Sequence, residues 1–211
     1  MTSKKTPLTI DGISTSIYAG FWIRLGSLLL DFIILLAVVI IILYLNGLSK
    51  NAFYYTLLPN LIFSFWYRIY LVKKQGGTPG KLIMGIKIIK IDGSDVSWKE
   101  AILREIVNYG LTFFISIVTI IALSQADTAH YESLTWLTKQ QYLMTLMPIF
   151  FTIYTWSSNT WVYSEFFVLL FNKRKRALHD FMAKTVIVRA MYIDKIRETM
   201  NSDTNTEITN G

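Results

Sequence analysis

The sequence predicts an all-α membrane protein with four transmembrane helices, both termini in the cytoplasm and a small cytoplasmic cap that contains β-strands. Of its 211 residues, 53% are hydrophobic and 17% are charged, whereas a soluble domain carries about 25% charged residues. A soluble chain of this size cannot bury so much apolar surface in one core. Four segments are apolar enough to cross a bilayer, and the basic residues gather on one side of them.

The four predicted spans are runs of about 20 predominantly apolar residues, enough to cover about 30 Å of hydrocarbon. They cover residues 21–45, 53–72, 105–123 and 143–171. The first run is too long for the apolar part of a signal peptide, and no small-residue cleavage site follows it. The fourth contains Pro148 and a polar stretch at 157–160, so we expect it to be tilted, or broken near that stretch.

Basic residues predict the orientation, because cytoplasmic segments carry an excess of Lys and Arg. With the N-terminus inside, Lys50 and Lys139 are the two basic residues, of 21 in the chain, that face the outside. Topology therefore explains the net charge of +7, and no nucleic-acid binding is expected. The absence of Cys excludes disulfides, thiolate metal sites and cysteine nucleophiles. We expect a multi-pass membrane protein.

Three regions follow from this topology: a cytoplasmic N-terminal segment at 1–18, a membrane domain at 19–190, and a polar, flexible tail at 191–211. Within the membrane domain, the cytoplasmic segment 73–104 carries its own signals. Alternation over 86–91 and the following Asp-Gly pair predict a strand and a turn. The β-favouring stretch 185–188 is predicted to pair with that strand.

Two further signals lie in segment 73–104. Ser97 and Glu100 match the capping box that begins a helix. The glycine-rich turn at 76–81 resembles part of a phosphate-binding loop, which requires Gly at position 75 and Ser or Thr at position 82. The chain has Gln75 and Leu82 instead. A tight turn that leads to an interfacial segment is therefore favoured over nucleotide binding.

The basic run at 173–176 has two interpretations. It can bind anionic lipid head groups on the cytoplasmic side, where each such charge contributes about 1 kcal/mol. It is also typical of the inner end of a membrane span. The second interpretation is favoured, and anionic lipids remain an expected partner of this side of the protein.

Three groups of residues together resemble the motifs of one family. They are Ala19-Gly20-Phe21-Trp22-Ile23-Arg24 with Asp31, Gly77-Thr78-Pro79-Gly80-Lys81 with Gly85-Ile86-Lys87-Ile88, and His179-Asp180 with Lys184-Thr185-Val186-Ile187-Val188. The chain thus resembles the RDD family of bacterial membrane proteins over about residues 19–188. The Arg and two Asp that name the family match Arg24, Asp31 and Asp180, whereas Lys184 stands where many relatives have a small residue. The resemblance implies transport, with monovalent cation/proton antiport as the most concrete activity.

Polar side chains within the spans are the candidate functional residues, because a charge at a span centre costs about 2.5–3.5 kcal/mol and is usually paired or hydrated. Asp31 lies about 15 Å into the first span, from its distance along the helix. We expect a polar cluster near the cytoplasmic leaflet that faces the interior of the helix bundle. Its predicted members are Arg24, Asp31, Arg68, Arg104, Glu105, Asn108 and Glu165.

Two functions remain open for this cluster. In the first, Asp31, alone or with Glu165, exchanges a proton for Na⁺ or another monovalent cation, since carboxylate oxygens suit hard cations. In the second, the cluster is an ion-pair network in a non-enzymatic membrane scaffold or a lipid-binding subunit of a larger complex. Four spans are few for a transporter, so transport would predict a homo-oligomer.

The pair His179 and Asp180 is compatible with a proton relay or part of a catalytic triad. No G-x-S-x-G motif is present, and His130, the other histidine, lies on the outer side. We therefore expect no enzymatic activity, no cofactor and no metal site. Asp180 is instead predicted to bind Arg176 one turn earlier, or the turn at Gly80 and Lys81.

Overall fold

The computed structural model describes residues 5–209, so that Lys4, one of the predicted cytoplasmic basic residues, lies outside it. The elements are α1 Phe21–Leu48, α2 Ala52–Phe65, α3 Leu71–Gln75, α4 Pro79–Ile83, β1 Ile86–Lys90, α5 Trp98–Gln125, α6 Thr128–Ser133, α7 Trp136–Leu146, α8 Pro148–Phe171, α9 Leu178–Met182, β2 Thr185–Arg189 and α10 Ile193–Thr209. A π-helical turn, Trp66–Tyr70, joins α2 to α3. The protein is mostly helical with one small sheet.

Two of the described helices, α1 and α5, are long and apolar enough to cross a membrane. Each has 28 residues, which corresponds to about 42 Å of helix. The apolar surface of α1 is largely exposed, and Ile33, Ile40 and Ile41 are among its uncovered side chains. A continuous exposed apolar surface of this kind is typical of a helix that faces lipid.

The predicted fourth span, 143–171, is not a single helix. Helix α7 ends at Leu146, and α8 begins at Pro148. Proline cannot donate the backbone hydrogen bond that a helix interior needs and restricts the preceding residue, so it is favoured at the start of a helix. The break therefore lies at Met147, and α8 continues through the polar stretch at 157–160, the place where the sequence suggests a break.

The chain divides into two compact units. Among the described residues, the first unit comprises 5–34, 67–105 and 164–209, and the second comprises 35–66 and 106–163. In the first unit, β1 pairs antiparallel with β2, with Ile88 opposite Ile187. This confirms the predicted strand pairing. The buried core on the sheet consists of Ile17, Tyr18, Ile89, Val186, Val188, Ile196 and Met200.

Helix α10 forms where the sequence predicts a polar, flexible tail. Ile196 and Met200 are both buried in the core of the first unit. They lie four residues apart, so they share one face of the helix. Ile193, on the same face, packs against this core as well. Three spaced apolar residues in a polar segment are a weak local signal, and they become a helix face because the sheet supplies a surface to cover.

The core of the second unit consists of Ala122, Leu123, Ala126, Tyr131 and Leu143. A buried lysine stabilises this unit: Lys139 Nζ donates a hydrogen bond of 2.8 Å to the carbonyl oxygen of Gly47. Gly47 lies in the last turn of α1, where backbone carbonyls have no partner within the helix. Lysine at this position satisfies one of these carbonyls and complements the helix dipole.

We expect Lys139→Met to lower the free energy of unfolding by about 1–3 kcal/mol, because it leaves the Gly47 carbonyl without its charged donor. Thermal unfolding of the detergent-solubilised protein measures this loss. Lys195→Met, which removes an exposed lysine on α10, is the matched control. Equal stability of the two variants would contradict a capping role for Lys139.

Candidate functional site

Asp31, on α1, is bound by three donors from later segments of the first unit. Its Oδ1 accepts hydrogen bonds from Tyr67 Oη at 2.5 Å and from the backbone N–H of Gly80 at 2.8 Å. Its Oδ2 accepts from Thr78 Oγ1 at 2.6 Å and lies 3.9 Å from Lys81 Nζ. The carboxylate therefore fastens the glycine-rich turn and α4 to α1.

Glycine is required at position 80 by the closeness of this contact. A Cβ on Gly80 would overlap the backbone oxygen of Ser27 and lie 2.7 Å from the carboxyl carbon of Asp31. Pro79 begins α4, as is common for the first helical residue. The turn that resembles a phosphate-binding loop thus directs a backbone N–H at a carboxylate of its own chain.

Lys81 lies close to Asp31, and both side chains are partly exposed. The Lys81 side chain is 22% exposed and that of Asp31 is 14% exposed. Burial lowers the pKa of Lys81 to about 8, although the charge of Asp31 acts in the opposite direction. Its Nζ also donates to Thr78 Oγ1 at 3.2 Å. The ammonium group can therefore lose a proton near neutral pH, directly beside a carboxylate.

Asp180 is the centre of a second, fully buried site in the first unit. Its Oδ2 accepts from Arg24 Nη1 at 2.8 Å and from the backbone N–H of Ala177 at 2.9 Å. Its Oδ1 accepts from Arg104 Nη1 and from Thr185 Oγ1, the latter at 3.3 Å. One carboxylate thus joins α1, α5, α9 and β2.

The charge of Asp180 is maintained by its neighbours. Burial alone would raise the pKa of this carboxyl, but the positive charges of Arg104 and Arg24 hold the pKa well below its ordinary value. Arg24 is fixed further by its Nε, which donates to the carbonyl oxygen of Ala19 at 3.0 Å. The site is therefore a buried ion-pair network with its hydrogen-bonding groups largely satisfied.

The partners of Asp180 differ from those expected from sequence. Arg176 does lie one turn away, but its Nη2 donates to the backbone oxygen of Asp180 at 2.8 Å and not to the carboxylate. The carboxylate binds Arg24 and Arg104. The turn at Gly80 and Lys81, the other expected partner, is bound by Asp31.

Glu165, on α8, extends the Asp180 site through His179. Its Oε1 accepts from the backbone N–H of His179 at 2.9 Å, and its Oε2 lies within hydrogen-bond distance of His179 Nδ1. Nε2 of the same ring lies 2.8 Å from Arg104 Nη2. Because arginine only donates, Nε2 must accept there, and the ring proton lies on Nδ1 facing Glu165.

The predicted polar cluster therefore has separate parts. Arg68 and Glu105 form their own ion pair at 3.2 Å, with the Arg68 side chain 50% exposed, and a pair so exposed contributes little stability. Asn108 belongs to the second unit, where its backbone oxygen accepts from Thr112 Oγ1 at 2.8 Å. The other four residues divide between the Asp31 site and the Asp180 site.

Sequence reasoning did not select three of the residues that bind these carboxylates. Thr78 and Thr185 stand inside the quoted motifs, so their hydroxyls were available as a signal. Tyr67 had no local signal, because the π-helical turn decides where it points. Among the described residues, no three His, Cys, Asp or Glu side chains are grouped so that they could hold a metal ion.

Comparison with known proteins links the chain to a family. A family model described as the RDD family matches residues 18–184, a range that contains Asp31 and Asp180. The chain is 38% identical over 125 residues to the "Uncharacterized protein YckC" of Bacillus subtilis (strain 168), which covers 53% of this chain and 78% of that protein. No solved structure matches.

Proposed function

Because the chain belongs to the RDD family of membrane proteins, we propose that it crosses a bacterial cell membrane four times, with both termini in the cytoplasm. Helices α1 and α5 supply two of these spans. The continuous helical segment from Ala52 to Gln75 and the 24 residues of α8 are long enough for the others. The distribution of Lys and Arg supports the orientation.

The activity that the geometry supports best is the exchange of a proton for a small monovalent cation such as Na⁺ at the Asp31 site. The observation that carries this proposal is the partly exposed Asp31–Lys81 pair. The Lys81 ammonium occupies the position beside Asp31 that a cation would take. When Lys81 releases its proton, the carboxylate can bind one cation, with hydroxyl oxygens of Tyr67 and Thr78 as further ligands.

The exchange is balanced in charge and protons. One proton leaves Lys81 for each cation that binds, and reprotonation of the amine expels the cation. The backbone N–H of Gly80 holds the carboxylate in place in both states. The protein acts without enzymatic chemistry in this scheme, and a homo-oligomer is expected because four spans are few for a transporter.

We expect cation-dependent proton movement to be greatest near pH 8, because Lys81 must release and regain a proton in each cycle and its pKa is about 8. The protein, reconstituted in vesicles with an internal pH dye, is challenged with Na⁺, Li⁺ or K⁺. Asp31→Asn should abolish the signal because the cation loses its carboxylate, and Lys81→Gln should abolish it because no proton is then exchanged. Asp11→Asn, at an exposed position, is the control.

The exchange proposal fails if folded wild-type protein gives no cation-dependent signal under any gradient. It also fails if folded Asp31→Asn transports at the wild-type rate. Scattering from the detergent-solubilised protein tests the expected oligomer separately, by giving the mass of the assembly.

A second candidate is a non-enzymatic membrane scaffold. It is favoured by the three hydrogen bonds that the oxygens of Asp31 already accept and by the complete burial of Asp180. Both carboxylates then serve only to hold the cytoplasmic elements on the helices. In that case Asp31→Asn lowers stability, and the vesicle assay gives no signal for wild type or variant.

A further inference from the structure

The first unit contains a polar cavity apart from the Asp31 and Asp180 sites. It has a volume of about 420 Å³ and lies among the end of α3, β1 and α10. The charged side chains that line it are Lys73, Lys74, Lys87, Arg197, Asp95 and Asp194. Four cationic groups against two carboxylates leave this cavity with an excess of positive charge.

An ion pair within the cavity lining leaves the excess positive charge on the lysines. Arg197 Nη2 binds Asp95 Oδ1 at 2.7 Å, and its Nε donates to the carbonyl oxygen of Gly93 at 3.1 Å. These two opposite charges neutralise each other. Among the described residues, Lys73, Lys74 and Lys87 form no ion pair. Three lysines that form no ion pair therefore line the cavity, and Asp194 is the one carboxylate of its described lining that stands outside an ion pair.

The positions of these lysines are set by the surrounding structure. Lys73 Nζ lies 5.7 Å from the centre of the Trp98 ring, and Lys74 Nζ lies 5.7 Å from that of Tyr70. Such cation–π contacts restrict the two side chains at the end of α3. Lys87 reaches the cavity from β1, the strand that binds the end of α3 through its Ile88 N–H, 2.7 Å from the Gly76 oxygen.

Gly76 leaves space beside Lys87 in the lining of the cavity. It ends α3 in the left-handed conformation, with φ of +79°, which favours glycine. A Cβ at this position would lie 3.5 Å from Cδ of Lys87. Any larger side chain would therefore be strained and would fill the space between Lys87 and the end of α3.

We propose that this cavity binds a phosphate-bearing anion, either the head group of an anionic phospholipid or a soluble phosphate compound. Ammonium groups bind phosphate as point charges, and the volume falls within the range of small-molecule sites. Within the described part of the chain, no aromatic ring lines the cavity, so it offers charge to a phosphate but no ring on which a nucleobase could stack. This binding does not depend on cation exchange at Asp31, and it gives the lipid-binding form of the second candidate a specific site.

Calorimetric titration of the full-length protein in a non-ionic detergent tests this site with three probes. They are short-chain phosphatidylglycerol, short-chain phosphatidylcholine and inorganic pyrophosphate. Wild type should bind phosphatidylglycerol, pyrophosphate or both more tightly than the zwitterionic lipid. Lys87→Gln should weaken this binding about fivefold, the effect of one lysine near an anionic surface, and Lys87→Arg should restore it.

Lys195→Gln removes the same charge from an exposed position on α10 outside the cavity and should leave the affinity unchanged. Binding of phosphatidylglycerol alone assigns the cavity to a lipid head group, and binding of pyrophosphate alone assigns it to a soluble phosphate. Absence of binding by folded wild type, or equal weakening by Lys87→Gln and Lys195→Gln, overturns the proposal. Folded Asp31→Asn should bind as wild type does, which separates this test from the exchange assay.

Discussion

Asp180→Asn is expected to lower the free energy of unfolding by about 3–5 kcal/mol, because removal of one member of a buried ion pair leaves the other charge uncompensated. Here two arginines lose their partner. Arg104 is buried and Arg24 is nearly so. The asparagine amide has nearly the same size as the carboxylate, so the substitution creates no cavity. The loss of stability therefore measures the lost charge and hydrogen bonds.

The same site predicts how wild-type stability depends on pH. The folded-state pKa of Asp180 lies well below the unfolded value near 3.8. Its ionised form is therefore favoured by folding, and this stabilisation is fully present above about pH 4. It is lost as the pH falls below 3.8 towards the folded-state pKa. In Asp180→Asn, this part of the acid dependence should be absent.

Denaturant unfolding of the detergent-solubilised protein at several pH values measures both effects. Asp11→Asn is the control, because Asp11 is exposed in an N-terminal turn. A stability of Asp180→Asn equal to that of Asp11→Asn would contradict the role assigned to the buried network. If the variant does not fold, Arg24→Met and Arg104→Met, tested singly, should each be less stable than Asp11→Asn.

Gly80→Ala is expected to destabilise the first unit by about 3 kcal/mol. Overpacking costs about 1–3 kcal/mol, and the displaced backbone loses its hydrogen bond to the charged Asp31, which contributes about 1.5–3 kcal/mol. The new Cβ would overlap the Ser27 oxygen, so α4 must move away from α1. Cation exchange should fall with it, because Lys81 moves away from Asp31.

Gly110→Ala provides the matched control for this substitution. Gly110 lies inside α5, and a Cβ at this position would meet no atom of another residue within 4 Å beyond its own helix backbone and chain neighbours. Alanine there should be neutral or stabilise by up to about 1 kcal/mol, since glycine is unfavourable in a helix interior. Thermal unfolding compares the two variants. A melting temperature of Gly80→Ala at or above that of wild type would refute the close contact.

Several features were predictable because they depend on neighbours in sequence. Helix α5 begins at Trp98, as the capping box predicts, and the backbone N–H of Ser97 donates to Glu100 Oε2 at 3.0 Å. The alternating pattern at 86–91 likewise predicted β1, and the β-branched residues at 185–188 predicted its partner. These signals act over a few residues, so a single sequence contains them.

The two carboxylate sites were predictable only in part. Depth along the predicted span groups Asp31 with Arg24, but it leaves open which neighbour each side chain meets around the helix axis. The partner of Arg24, Asp180, is 156 residues away in sequence. Tyr67, one of the partners of Asp31, is 36 residues away in sequence and lies in a π-helical turn. Depth alone therefore combined residues that belong to separate sites.

The sequence by itself determined the membrane character of this protein, the asymmetry of its basic residues and the existence of the small sheet. Composition and short-range patterns carry these properties, and they hold for any arrangement of the helices. Only the tertiary structure decided that Asp31 holds the glycine-rich turn, that Asp180 holds Arg24 and Arg104, and that the lysines of α3 and β1 share a cavity. Each of these depends on long-range contacts, whose geometry is set by packing in three dimensions.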